Sequence, residues 1–489
     1  MTDAAGVITS RPSSELHGYW RLPEPRLAFD STDPDQTAVN PLAGLAAHGP
    51  FSARSWAPHD QTIRVALLAL EADLDSLRRQ LNELVGPHQP IERATYVPPW
   101  PGFRNVFRVG LGPADDAAQA GLAPNLDDEL AAAPRPHRRL AELLIEGLRR
   151  LVAVRNRFDV VVFYLPARFS PLFEVPEDDF DLHAAVKAFA AQEGLTTQII
   201  TERALRYRCR ASVAWRLGTA LYAKGGGTPW KLDTRLAPLD PATAYIGLSY
   251  ALRLSRDGST TFVTCCSQVF DADGGGMEFV AYDVGQGFDL RNPHLSRQDM
   301  RSVMSRSLAL YQDRHAGHTP RRLVVHKQTP FTGEETAGCL DAWGAASDLT
   351  CVTITRPSWR GVSLDAPRRH DERSTPSYAV RRGSALQLDE RSCLLWVAGN
   401  APDASLSGSA DYLQGGKGTP RPLLLTRDAG RGPLDEVAAQ VLALSKMDWN
   451  NDALYDALPC TVRYAQLLAR TLKHMCDLAP RPYDYRLFM

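Results

Sequence analysis

The sequence first excludes several classes of protein by what it lacks. Its 489 residues contain no apolar run of about 18 residues, so we expect no membrane span. The N-terminus does not have the charged-then-apolar layout of a secretory signal. The eight cysteines are scattered without a CxxC pair. Together these absences predict a cytoplasmic protein with reduced, mostly buried thiols.

An excess of charge of either sign is also missing. The net charge of −1 excludes a protein that is basic over its whole surface. It does not exclude a basic channel, because a polyanion responds to local charge density. Arginines do cluster, although any one cluster could simply be a solvated face; the clusters lie at 138–139, 149–150, 203–210, 321–322 and 356–369.

The order of apolar patterns predicts two α/β units. Residues 1–60 are rich in Pro, Asp and Ser and suggest an irregular or extended arm. From 60 to 230, strand patterns alternate with helix patterns, which favours a parallel sheet. The run at 158–165, FDVVVFYL, is typical of a strand buried on both faces. We interpret 103–111 as a further strand.

The second unit begins near residue 243. Three strand patterns come first and are followed by alternating helices and strands, an order like that of RNase H. Asp271 and Asp273 precede three glycines; because the bidentate Glu of a D-x-D-G metal loop is missing, we interpret them as a hairpin turn. His315 and His318 lack companion ligands and are interpreted as surface loop residues.

Four residues of the first unit could converge on an anion. His183 and Lys187 share one helix face at i, i+4 spacing, and Gln198 lies in the strand that follows. Lys224 ends an apolar helix pattern and precedes three glycines and a Pro-Trp pair. Ammonium, imidazolium and amide groups are suitable donors to a phosphate monoester. Taken alone, the segment around Lys224 is more typical of a helix C-cap bearing a solvated lysine, because glycine is common just after a helix.

Taken together, these residues resemble a known pattern. The segments DLHAAVKAF, GLTTQII and YAKGGGTPWKL resemble, in order and spacing, the guide 5'-phosphate pocket of the MID domain of Argonaute proteins. The resemblance implies that His183, Lys187, Gln198 and Lys224 hold the 5'-phosphate of a guide strand. It also implies Mg²⁺ or another divalent cation at that phosphate, held by Gln198 and by the C-terminal carboxylate, here that of Met489.

The second unit resembles the PIWI domain of the same family. Its matching segments are AYIGLSY, RRLVVHKQTPF and LALSKMDWNND followed by ALPCTVRYAQLLAR. In cleaving members, an Asp at each of two positions of these segments and an Asp or His at a third help to bind two metal ions. Here Ser249, Gln328 and Gln466 stand at them, and neutral side chains cannot offset two dications. We therefore expect a domain without nuclease activity.

The overall prediction is an α/β chain with a Rossmann-like MID domain followed by an RNase H-like PIWI domain. The expected divisions are a leader at 1–60, MID at 61–235 and PIWI at 236–489. The segment from Leu22 to Phe51 is similar to the leader of short prokaryotic Argonautes. That resemblance implies a guide RNA with a 5'-phosphate, a complementary single-stranded DNA target, and a partner with an APAZ region fused to a TIR, sirtuin-like or nuclease effector. The implied role is defence against invading DNA.

Three other functions were weighed. The run Val109-Gly-Leu-Gly-Pro113 suggests a dinucleotide turn, but it lacks the third glycine. An active RNase H-type nuclease would cut a guide-matched target with Mg²⁺ or Mn²⁺. A scaffold that binds only its partner would carry no short RNA.

Overall fold

The computed structural model describes most of the chain. The described residues are 18–56, 61–235, 239–254, 261–283, 294–344, 348–361, 379–406, 419–450, 453–475 and 482–489. Outside them lie Arg368 and Arg369 of the last predicted cluster, residues 1–17 and 57–60 of the leader, and residues 451–452 of the third PIWI-like segment. Within the described part, no helix is both long and apolar enough to cross a bilayer.

The first unit is a parallel sheet between helices. β7, a continuous run of buried β-branched and aromatic residues, pairs in parallel with β4 and β10, and β5 and β6 pair with successive halves of β4. Its elements are β4 (Thr62–Leu70), α3 (Leu74–Val85), α4 (Phe103–Phe107), β5 (Gly110–Pro113), β6 (Gln119–Leu122), α5 (Leu126–Ala132), α6 (Pro136–Val152), β7 (Val160–Leu165), β8 (Glu174–Val175), β9 (Phe180–Asp181), α7 (Leu182–Gln192), β10 (Thr197–Thr201), α8 (Glu202–Arg206), α9 (Arg210–Lys224) and β11 (Lys231–Leu232).

The second unit is built on a larger mixed sheet. β12, β13 and β14 are antiparallel neighbours, whereas β15 and β16 run parallel to β12. Its elements are β12 (Thr243–Leu254), β13 (Thr261–Asp271), β14 (Gly276–Asp283), α10 (Arg297–Arg314), β15 (Arg322–Lys327), α11 (Gly333–Trp343), β16 (Asp348–Thr355), β17 (Ser384–Gln387), β18 (Ser392–Leu395), β19 (Leu423–Ala429), α12 (Leu434–Leu444), α13 (Cys460–Leu472) and β20 (Tyr483–Asp484). This order confirms the predicted fold class.

Residues 18–56 of the predicted leader are more ordered than the sequence suggested. Its elements are β1 (Tyr19–Arg21), β2 (Leu27–Ala28), β3 (Thr37–Ala38), α1 (Pro41–His48) and α2 (Ala53–Trp56). β1 pairs with β17 at the edge of the large sheet, and β2 pairs with β11. Glu24 is buried between Arg382 and Lys446, at 2.9 and 3.0 Å. These long-range contacts, which local sequence patterns could not predict, fix the segment to the second unit.

One predicted element is wrong. Residues 103–111 were interpreted as a strand, but α4 occupies 103–107 and β5 begins only at Gly110. Phe103, Val106 and Phe107 are buried at i, i+3, i+4 spacing, which is helical. The glycines of the dinucleotide alternative lie in strand β5 rather than at a helix N-terminus, which removes the geometry that such a turn requires.

Helix α13 lies directly on strand β12. A Cβ atom on Gly247 would stand 2.0 Å from the main-chain oxygen of Thr461, so only glycine allows this approach. His326, paired with Gly247 across β15, bonds the Thr461 hydroxyl through Nδ1 at 2.9 Å. These contacts fix the helix that carries Gln466 over the end of strand β15.

Candidate nucleic-acid interface

The glycine turn after α9 is a helix cap, but its lysine is buried. Gly227 donates its N–H to the Tyr222 oxygen at 3.0 Å, and Gly226 has φ 108°, which favours glycine. A Cβ atom on Gly227 would stand 2.3 Å from the Tyr222 ring. Lys224 is only 4% exposed, so the alternative of a solvated lysine is wrong.

Lys224 and Gln198 are in direct contact. The Lys224 Nζ donates to Gln198 Oε1 at 2.5 Å, and Gln198 Nε2 donates to the Ile199 oxygen at 2.9 Å. Gln198 is in strand β10, whereas Lys224 ends helix α9, so the sheet and the helix together place the pair. Burial and then the positive charge of Lys187 lower the pKa of Lys224 well below its ordinary value.

Lys187 is the second buried ammonium group. It lies in helix α7, is 2% exposed, and donates through Nζ to the main-chain oxygen of Met489, the last residue of the sequence. Burial lowers the pKa of Lys187 to about 7. The aromatic and apolar residues before Met489 anchor it, since Tyr483 and Phe488 pack with Ala188 and Ala191 of α7.

His183 faces the same place from the start of α7. Its side chain is open to a cleft, although the surrounding protein desolvates it. That desolvation, with the charges of Lys187 and Lys224, lowers its pKa well below the ordinary histidine value. The structure therefore brings together all four residues that the sequence singled out. The pKa values of His183, Lys187 and Lys224 are all lowered in the empty site, which favours their neutral forms. A bound anion would stabilise the protonated forms.

The cleft is a cavity of about 550 Å³ beside these groups. His183 and Gln198 line one part of it, and Lys224, which is buried, donates to the lining residue Gln198. The start of α7 and the first turns of α9 also line the cavity. The Asp181 carboxylate caps the N-terminus of α7, so the N-terminus of α9, which has no side-chain cap among the described residues, is the one that favours an anion. The lining further includes Arg93, Tyr207, Ser212 and Arg216.

Sequence reasoning missed some of these lining residues. Arg216 is exposed in an otherwise buried helix, and a single charge within ASVAWRLGTALYA, the stretch before Lys224, was a usable signal. Tyr207 and Arg93 come from separate loops and form a cation–π contact at 5.9 Å. No local pattern connects them, because Tyr207 lies 114 positions after Arg93 along the chain. Their aromatic and cationic surfaces suit a nucleobase next to a phosphate.

The arginine cluster at 203–210 divides in two. Arg203 lines the cavity. Arg206 pairs with Glu202, and Arg210 pairs with Glu83 and Gln80, so these two carry structural contacts. The other channel candidates, Arg356 and Arg360, are exposed.

The site offers two oxygens of the kind that Mg²⁺ prefers, Gln198 Oε1 and the Met489 carboxyl oxygen. Both accept hydrogen bonds from lysines. The described residues contain no group of three or more His, Cys, Asp or Glu that could hold a metal ion. The donor set therefore fits a divalent cation only together with the oxygens of a phosphate.

Two of the three neutral positions of the second unit are in contact, and the strand register places the third at the same level. Gln466 Nε2 donates to Gln328 Oε1 at 2.7 Å across 138 residues. Ser249 lies in β12, two residues beyond Gly247, whose partner in β15 is His326. Extending that parallel register places Ser249 level with Gln328. An amide pair and a hydroxyl thus occupy the centre at which the resemblance implies carboxylates.

The turn at Asp271 is a hairpin, as predicted. Asp271 N–H donates to the Gly275 oxygen at 3.0 Å, and Asp273 pairs with Lys231 at 2.7 Å. His315 is not a simple surface residue: it stacks on Tyr311 at 3.9 Å and its Nε2 lies 3.0 Å from Asp271. His318 is exposed, as predicted. The cysteines whose side chains are described are buried and free, namely Cys209, Cys339, Cys351, Cys393 and Cys460.

Comparison with known proteins identifies the homology. The chain is 22% identical over 340 residues to the protein argonaute of Aquifex aeolicus, a match that covers 68% of this chain and 42% of that protein. This chain is an Argonaute homologue. No family model matches the sequence.

Solved Argonaute structures share the fold of this homologue. The structure of Clostridium butyricum Argonaute bound to a guide DNA and a 19-mer target DNA matches with a TM-score of 0.61 at 14% identity, over 100% of this chain and 56% of that one. Aa-Ago with externally bound siRNA matches with a TM-score of 0.59 at 15% identity, over 98% and 56%. The Argonaute homologue thus spans less than two thirds of each relative.

Proposed function

We propose that this Argonaute homologue binds the 5'-phosphate of a guide strand and pairs the guide with a complementary target. The observation that carries the proposal is the convergence of His183, Lys187, Gln198 and Lys224 beside a cavity of nucleotide size. Among the described residues, no Asp or Glu side chain forms an ion pair with Lys187 or Lys224, although Asp448 favours the charge of Lys224 from a distance, and burying such charges is costly. A bound phosphate would offset that cost, which would explain why two lysines are buried at this site.

The proposed guide is RNA and the proposed target is single-stranded DNA, as the likeness to short prokaryotic Argonautes implies. Mg²⁺ or another divalent cation would be held by Gln198 and Met489 with the phosphate, where it would neutralise negative charge. The protein would grip the backbone, while base pairing supplies the sequence specificity. Support for the nucleic-acid role also comes from the C. butyricum Argonaute, which was solved with guide and target DNA.

We further propose that the chain does not cut its target. Gln328 and Gln466 contact each other, and neither amide can supply the negative charge that two dications need. Damage to the invaded cell would then fall to a partner protein with an APAZ region and a TIR, sirtuin-like or nuclease effector.

Co-expression with the product of the neighbouring reading frame tests the effector role. We expect a stable complex that consumes NAD or degrades nucleic acid only when guide and complementary single-stranded DNA are both present. The matched control is a DNA of scrambled sequence at the same concentration. Activity without target, or a complex that ignores the target, would contradict the proposal.

Guide binding should also weaken as pH rises above about 7. Burial lowers the pKa of Lys187 to about 7, so the empty site loses this positive charge as pH increases. A phosphate favours the protonated form, so binding takes up a proton and affinity falls by up to about tenfold per pH unit for each proton. Below about pH 6 the phosphate itself gains a proton, which lowers its charge.

Fluorescence anisotropy of a labelled guide, measured from about pH 6.5 to about pH 9 at constant ionic strength, reports this dependence. A 5'-hydroxyl guide should show a smaller slope, and Lys187→Met should flatten the profile for the phosphorylated guide. Identical slopes for both guides would mean that Lys187 does not meet the phosphate.

A further inference from the structure

The pair formed by Gln328 and Gln466 lies where a sheet offers a binding edge. Strand β15 ends at Lys327, so Gln328 is the first residue beyond its carboxyl end. Strands β12, β15 and β16 run parallel, and ligands of open α/β sheets bind outside such ends. Gln328 is exposed and Gln466 is half-buried, which leaves the pair accessible to a large ligand.

The pair retains hydrogen-bonding capacity. One N–H of Gln466 donates to Gln328 Oε1 at 2.7 Å. Two primary amides carry four N–H groups, and this contact uses one. The remaining hydrogens are neutral donors, suited to the oxygens of a phosphodiester and unsuited to a metal ion.

The loop behind Gln328 is held firmly. Lys327 is 1% exposed, and its Nζ donates to both carboxylate oxygens of the fully buried Glu335, at 2.7 and 2.6 Å. Glu335 also accepts the N–H of Thr332 at 2.9 Å. The Thr353 hydroxyl donates to the Thr329 oxygen at 3.2 Å. These anchors on either side of the loop fix its backbone, so little conformational entropy is lost when Gln328 binds a ligand.

We propose that Gln328 and Gln466 form a metal-independent binding site for one phosphodiester group of the target strand. This inference rests on the proposed function, because it requires a guide–target duplex on the second unit. The site would hold the target backbone in position by hydrogen bonds, at the point where charged ligands would otherwise recruit metal ions. With amides in place of carboxylates, this site would bind the target strand without cleaving it.

The test uses the full chain loaded with a 5'-phosphorylated guide. Target affinity is measured in excess EDTA and in Mg²⁺ for wild type, for Gln328→Ala with Gln466→Ala, and for Gln298→Ala, an exposed glutamine of α10 that serves as the control. We expect the double variant to bind target about ten- to a hundredfold more weakly in both buffers, with guide affinity unchanged. We expect Gln328→Glu with Gln466→Glu to bind target weakly in EDTA and to recover in Mg²⁺.

A scan of the target with single methylphosphonate linkages locates the contact. In wild type, neutralising one or two adjacent linkages should weaken binding, and the double alanine variant should lose that sensitivity. Equal target affinity for wild type and the double alanine variant would overturn the inference while guide binding persists. If the double alanine variant does not fold, the scan of the wild-type protein is sufficient by itself. The inference is then overturned if no single methylphosphonate linkage weakens target binding. Failure of wild type to bind the guide would instead overturn the proposed function.

Discussion

Replacing Lys187 and Lys224 together by methionine should weaken binding of a 5'-phosphorylated guide by at least about a hundredfold. Each buried ammonium group would make a charge-assisted hydrogen bond to the phosphate, worth about 1.5–3 kcal/mol, and two such losses correspond to that factor. The affinity for a 5'-hydroxyl guide should change little. Anisotropy titrations with the two labelled guides measure the difference.

Methionine is preferred to alanine because both lysines are buried, at 2% and 4% exposure, and alanine would leave cavities. Removing two buried charges should leave the melting temperature of the guide-free protein unchanged or higher. Lys231→Met is the matched control, since Lys231 lies seven positions after Lys224 and pairs with Asp273 instead of facing the proposed phosphate site. An equal loss for both guides would contradict the phosphate assignment.

A second expected result is an intact target. The guide-loaded protein should leave a fully complementary DNA uncut in Mg²⁺ and in Mn²⁺, with turnover below detection. Enzymes accelerate such reactions by about a millionfold or more, and the loss of the metal-binding carboxylates removes the basis of that acceleration. Denaturing gels of an end-labelled target over a day report the outcome.

The same assay needs a positive control and a decisive variant. An RNase H digestion of a matched RNA–DNA duplex shows whether the buffers support two-metal cleavage. Guide-dependent cutting at one fixed position that Ser249→Ala abolishes would contradict our interpretation of Ser249, Gln328 and Gln466. Cutting that persists in the variant and ignores the guide would indicate a contaminating nuclease.

Local patterns predicted much of this molecule, and they did so for identifiable reasons. The continuous apolar, β-branched run at β7 is typical of a strand buried on both faces, and the i, i+4 spacing placed His183 and Lys187 on one helix face. In contrast, α4 was taken for a strand, because its short apolar stretch has only one helical repeat of Phe103, Val106 and Phe107.

Contacts between distant segments could not be predicted from spacing. Lys187 meets Met489 across 302 residues, and Gln466 meets Gln328 across 138. The burial of Lys224 depends on how α9 packs, so the sequence left open whether this lysine was a solvated cap or part of a binding site. Tertiary packing decided that its ammonium group is buried against Gln198.

The measurement that tests the central claim most directly is the chemistry of the 5' ends that co-purify with the chain. We expect short nucleic acids whose 5' ends carry a monophosphate and are therefore degraded by a 5'-phosphate-dependent exonuclease. The variant with Lys187→Met and Lys224→Met should carry little or none. Purified protein without nucleic acid, or with 5'-hydroxyl and 5'-phosphate ends retained equally by wild type and variant, would contradict the account.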